Sequence, residues 1–231
     1  MKHNFKPAQM RHLIILILFL FISCGKKAEE KPGEIEEMKI KEGIETPNFH
    51  KINYSLTNNY LDSLGKHIEP NKKYQYWQYA TYYDNGKKEY TVLKQGGDLS
   101  LRKKINEKIS PCYSVGIFQG GHPSFRCNYV STVDNNGNVT YLKTEEEFRD
   151  FIGTIDNLEE AMLLARTYGY LLGNDIRASE YRKLRNGFKL HLMKYHEFPE
   201  RRESIELTIT KEGFIKTKSL GIYCEGRDCH K

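Results

Sequence analysis

The chain lacks any apolar run long enough to cross a bilayer. Its longest, Leu13 to Ile22, has ten residues, whereas a hydrocarbon layer about 30 Å thick takes roughly 20 at about 1.5 Å per residue. A permanent transmembrane helix is therefore not expected. There is no HExxH for a zinc protease, and no Ser or Lys at the spacing of a nucleophile elbow or a phosphate loop. No internal repeat or second linker divides residues 49–231, which are long enough for one domain with its own core. An excess of charge is missing too. Three of the six formal positive charges, Lys2, Lys6 and Arg11, sit in the first dozen residues, so the remainder of the chain is close to +3. The small basic clusters Arg102, Lys103, Lys104 and Arg182, Lys183, Arg185 have acidic neighbours and read as solvated faces, so no nucleic-acid partner is expected.

What is present at the N-terminus is an address. Lys2, Lys6 and Arg11 stand in a segment with no acidic residue, and the apolar run comes directly after them. This is the charged region and short hydrophobic region of a secretory signal. The run closes in Phe21, Ile22, Ser23 and Cys24, with Gly25 next. This resembles the lipobox of bacterial lipoproteins: an apolar residue, a tolerated second residue, a small residue and the cysteine to be acylated. Phe21 stands where Leu is commonest. The resemblance covers only the first two dozen residues. It implies cleavage before Cys24, a diacylglycerol thioether on its sulfur and an acylated amine, the palmitate-type anchor of this class. Several chains at about 0.8 kcal/mol per buried methylene hold a protein where one alone is marginal. Gly25 is not the aspartate that retains many such proteins in the inner membrane, so the expectation is outer-membrane attachment, with the leaflet open. Residues 1–23 are then the signal peptide and 24–48 the lipidated cysteine with a Lys/Glu-rich tether. Residues 49–231 are the domain.

Cys112, Cys127, Cys224 and Cys229 make an even number in a compartment that permits disulfides. Three pairings are open, and the local ones are simplest. Cys224 and Cys229 flank Glu-Gly-Arg-Asp, and Cys112 and Cys127 flank a glycine-rich stretch.

Along the domain, Leu56, Tyr60, Leu61 and Leu64 predict a short helix ending near Gly65. Asn85-Gly86 predicts a hairpin between two aromatic-rich strands. Residues 98–109 read as a helix capped by Asp98 or Ser100, with a strand as the alternative. Residues 113–118 and 126–133 read as strands, and Asp134 to Asn138 as a turn into a further strand. Thr144 with Glu147 is a capping box, and a second helix starts at Asp156 or Asn157. Phe188, Leu190, Leu192 and then Ile205, Leu207, Ile209 alternate as strands. The fold class expected is α+β: one largely antiparallel sheet with two to four helices packed on one face.

Four groups of residues carry candidate chemistry. Trp77, Tyr79 and Tyr83 share one strand face, and Tyr74, Tyr76 and Tyr82 the other. One face must enter the core, while the other can offer rigid amphipathic rings to a sugar or a protein, and Trp77, Tyr79 and Tyr83 are taken as the candidate aromatic surface. Gly120, Gly121 and His122 form a candidate binding loop, since paired glycines allow close backbone approach and His can act as acid, base or ligand. His191 and His196 with Glu197 have metal-ligand chemistry, but residues five apart on a strand point to opposite faces. Cys224, Cys229 and His230 have zinc chemistry too, with which disulfide formation competes. No metal or other cofactor is expected. The carboxylates at Glu145 to Glu147 and at Glu159 and Glu160 sit where helix starts are predicted and complement the helix dipole. The leading expectation is a non-enzymatic, membrane-tethered module that binds an envelope protein or glycan. The alternatives are an envelope hydrolase using His122, and an inhibitor or immunity lipoprotein.

Overall fold

Capping and alternation decide most of the elements. The computed structural model describes residues 48–54, 60–71, 74–83, 89–105 and 126–230, all within one unit running from Lys41 to Lys231. Thr144 Oγ1 accepts the Glu147 backbone N–H at 3.1 Å, and the Glu147 carboxylate accepts the Thr144 N–H at 3.2 Å. This capping box opens the helix Glu145–Ile152 (α2). Asn157 caps the helix Leu158–Thr167 (α3) through the Glu160 N–H at 2.8 Å. The first helix, Tyr60–Gly65 (α1), buries Leu61 and Leu64. It ends at a glycine because a Cβ there would lie 1.9 Å from the Tyr79 ring. Residues 98–105 do not continue as an α-helix. Asp98 caps a 3₁₀ segment, Leu99–Lys104, by accepting the Ser100 N–H.

The strands make two antiparallel sheets, where the sequence suggests one. Tyr76–Tyr83 (β2), Glu89–Gly97 (β3), Arg126–Val133 (β4) and Val139–Tyr141 (β5) form a four-stranded sheet in the order β3-β2-β4-β5. His50–Lys51 (β1), Glu180–Leu184 (β6), Gly187–His196 (β7), Arg201–Thr210 (β8) and Ile215–Glu225 (β9) form a five-stranded one in the order β1-β6-β7-β8-β9. The reason lies in α3, where every residue from Glu160 to Ala165 is buried. A helix buried on all sides needs cover from more than one element. Its side chains join Phe148, Phe151 and Ile152 of α2 in a core with Trp77, Tyr79 and Val130 of the smaller sheet. Phe188, Leu190, Leu192, Ile205, Leu207 and Ile209 of the larger sheet complete that core. Each such side chain contributes roughly 1.5–3 kcal/mol by leaving water.

The antiparallel pairing stands, in a strand-rich domain whose helices share one core with both sheets. One carboxylate enters the core with them. Glu160 accepts the backbone N–H groups of Glu69 at 2.9 Å and Asp156 at 3.0 Å, which ties the loop after α1 to the start of α3. Burial pushes its carboxyl pKa up, and these N–H groups pull the other way.

Candidate functional site

Several of the residues singled out in the sequence fall elsewhere than expected. Trp77 and Tyr79 are not an aromatic surface. Tyr79 is fully buried and donates its hydroxyl to the Leu61 carbonyl at 3.0 Å, and Trp77 packs edge-on against Phe151 at 5.6 Å. The helices claim this face, and of the three only Tyr83, at the strand end, is exposed. The opposite face is no freer. Tyr76, Tyr82 and Tyr129 are buried there, with the Tyr76 hydroxyl 2.8 Å from Oε1 of both Gln78 and Gln95. Cys224 and Cys229 form a disulfide with Cα atoms 5.2 Å apart. Cys127 is buried and disulfide-bonded as well. Cys24, Cys112, Gly120, Gly121 and His122 lie outside the described residues.

The exposed functional geometry is on the outer face of the five-stranded sheet. Strand pairing sets Lys51 opposite Glu180, Glu180 opposite His191, His191 opposite Glu206, and Glu206 opposite Lys218. One row of Lys51, Glu180, His191, Glu206 and Lys218 therefore crosses all five strands, with the histidine at its centre. His191 Nδ1 is 3.6 Å from Glu180 and Nε2 is 3.5 Å from Glu206. The Phe49 ring stacks on the imidazole at 4.1 Å between centroids. The Arg182 guanidinium lies over Phe49 in turn, at 5.6 Å. Two carboxylates thus flank the imidazole, and Phe49 covers one of its faces. His196 points to the other side of the sheet and meets Glu203 at 2.9 Å, as strand alternation requires for two histidines five residues apart. No group of three His, Cys, Asp or Glu among the described residues has the geometry of a metal site.

Above this row opens a cleft of about 360 Å³, lined by Ile176, Arg177, Glu180, His191, Ser204 and residues Leu220 to Tyr223. Two devices build its walls. On one side Asp175 caps the 3₁₀ turn Ile176–Ala178, accepting the Arg177 N–H at 2.9 Å and the Arg177 side chain at 2.7 and 2.6 Å. The hydrogen bonds from Arg177 hold the Asp175 carboxyl down at about 2. On the other side β9 slips register twice against β8, between Arg202 and Glu203 and between Ser204 and Ile205. Each slip adds a residue to β9 and re-aims the side chains beside it. Gly221, with φ of +103°, permits the second. As a result Leu220, Ile222 and Tyr223 turn toward Ile176 instead of alternating along the edge. Arg177 stacks on the Tyr223 ring at 4.9 Å and closes one end of the cleft. Burial raises the Tyr223 hydroxyl pKa, which keeps it a neutral donor.

The rim is apolar and open: Ile176, Leu220 and Ile222 are 60%, 45% and 50% exposed. Ser204 gives its hydroxyl proton to the Arg177 carbonyl, so it buttresses the 3₁₀ turn and is not a serine activated by His191. Chemically the cleft can hold a ligand, and its serine hydroxyl is committed to the scaffold.

Sequence reasoning missed this site because it missed β6. The local signal was slight: the loop between β6 and β7 is Arg185 and Asn186, with Leu184 paired to Gly187, and Asn186 is a residue that turns favour. The register slips in β9 left no comparable mark. The sequence matches no protein-family model, and neither the curated proteins nor the solved structures hold a significant match to it.

Proposed function

We propose that this chain is a cell-envelope lipoprotein, acylated at Cys24 and held at the outer membrane, whose domain is a non-enzymatic binding module. The observation that carries the binding role is the cleft on the outer face of the five-stranded sheet. Its apolar rim is exposed at Ile176, Leu220 and Ile222, and its polar floor is held in place by scaffold contacts. A volume of about 360 Å³ lies at the small end of the roughly 300–1,000 Å³ typical of ligand pockets. It suits one side chain of an envelope protein, or one small group of an envelope component, better than a large cofactor. The anchor rests on the lipobox resemblance at Phe21 to Cys24.

Two measurements test the two halves. Cys24→Ala should move the protein from the membrane fraction to the soluble envelope fraction, and unchanged membrane retention would sink the anchor. A photo-crosslinking residue at Leu220 should give a discrete adduct in the envelope. The same residue at exposed Leu99, beside the other sheet, should not. Identical adduct patterns from both positions would overturn the cleft as the binding site.

A further inference from the structure

We infer that the cleft selects a short alkyl chain ending in a primary ammonium, as in a lysine side chain or a free alkyl amine. The inference rests on the reading of the cleft as the binding site and adds the chemistry of its occupant.

The charges around the cleft decide it. Arg177 is the cation in the lining, and it is neutralised: Asp175 takes its Nε–H and one terminal N–H, and the guanidinium plane lies on Tyr223. Glu206, which does not line the cleft, has Lys189 at 3.7 Å and His191 Nε2 at 3.5 Å. Glu180 is different. Its side chain is 22% exposed, it accepts no hydrogen bond from the described residues, and the one ion-pairing nitrogen within 4 Å of it among those residues is His191 Nδ1 at 3.6 Å, beyond hydrogen-bond length. Lys51 is its cross-strand neighbour, and no ion pair joins the two among the described residues. A half-buried carboxylate with its acceptor sites unfilled is costly unless a donor completes it. The cleft places such a carboxylate at the floor beneath an apolar rim.

A ligand that satisfies both parts needs a cationic donor at one end and a few methylenes behind it. The methylenes run between Ile176, Leu220 and Ile222, as lysine stems do along apolar surface. An ammonium fits better than a guanidinium, because the flat aromatic position that a planar cation would use is already filled by Arg177 on Tyr223. A carboxylate ligand would face Glu180 directly and be repelled.

The test uses the acylated full-length protein in phospholipid nanodiscs, with labelled methyls on isoleucine and leucine. n-Pentylamine, n-pentanol, hexanoate and a blocked Ala-Lys-Ala peptide are titrated while the methyl signals of Ile176, Leu220 and Ile222 are followed. Pentylamine should shift these methyls saturably and bind at least tenfold more tightly than pentanol. Glu180→Gln should erase that tenfold difference, and Glu197→Gln, at an exposed residue that does not line the cleft, should leave it within twofold. Tighter binding of the peptide than of pentylamine assigns the source to a polypeptide lysine, and the reverse assigns it to a free amine. Pentanol equal to pentylamine, or a preference for hexanoate, overturns the ammonium assignment and leaves the cleft standing. No shift with any of the four overturns the cleft itself as the binding site.

Discussion

The two sheets bury their side chains in opposite ways. In the four-stranded sheet, β2 and β4 are buried on both faces, so even Gln78, Asn128 and Ser131 are nearly inaccessible. In the five-stranded sheet, β7 and β8 bury one face as an aliphatic wall and carry charged and polar residues on the other. A strand buried on both faces has little freedom to bind anything, because every side chain is already part of the packing. A strand half exposed keeps one face for chemistry while the other holds it rigid. The comparison separates a sheet that stabilises from a sheet that presents.

Substitutions in the first should therefore remove stability, and substitutions on the outer face of the second should remove binding alone. The largest effect belongs to the core that Trp77 shares with α2. Phe151→Ala should lower unfolding stability by about 3–5 kcal/mol in a denaturant titration, since the residue is fully buried. Next comes Tyr76→Phe, which removes the hydroxyl lying 2.8 Å from the side-chain amides of both Gln78 and Gln95, and with it the one proton that hydroxyl donates. A loss of about 1–3 kcal/mol is expected, and an unchanged midpoint would show that this polar cluster is solvated after all. Gly221→Ala meets no neighbouring atom but must hold a positive φ. It should destabilise by roughly 1–2 kcal/mol and weaken ligand binding to the cleft more than tenfold, because the register slip that aims Leu220 and Ile222 is lost.

The smaller effects lie at the charges of the cleft. The folded Asp175 carboxyl, at about 2, sits below its ordinary 3.8. A depressed carboxyl pKa contributes stability that is present above the ordinary value and lost as pH falls through the folded one. The 3₁₀ wall should thus weaken between about pH 4 and pH 2. Because the pair is partly solvated, this amounts to less than about 1 kcal/mol. Asp175→Asn should flatten that segment of the stability–pH curve. Glu180→Gln should change stability by less than about 0.5 kcal/mol while abolishing the ammonium preference. A large loss of stability in that variant would blur the division between the two sheets.

Local rules written within a few residues were legible in the sequence. The capping box at Thr144, the Asn157 cap, the alternation through β7 and β8 and the two strands flanking Asn85-Gly86 all depend on short spacing, and all appear. The second sheet was not legible, because it arises from α3 being covered on every side, which only the assembled core decides. Trp77 and Tyr79 were misplaced for the same reason. Alternation puts them on one face without saying what packs there. The cleft was the least legible part. His191 drew notice only for a metal site, and its neighbours Glu180 and Glu206 lie on different strands, brought together by register. The residues that aim Leu220 and Ile222 do so through slipped pairing, for which a lone glycine at 221 is the slightest of signals.

The stack of Phe49 on His191 has a mechanical side. β1 is held by two register pairs, His50 with Tyr181 and Lys51 with Glu180, and by the Ile52 N–H on the Ser179 carbonyl at 2.7 Å. It is the shortest hold in the sheet, and it lies on the chain that leads back to Cys24. A pull on the chain N-terminal to Phe49 would load Phe49 and β1 first and, through their pairing, the Glu180 strand. Under the acylation proposed at Cys24, tension on the chain would reach the Glu180 wall of the cleft through β1.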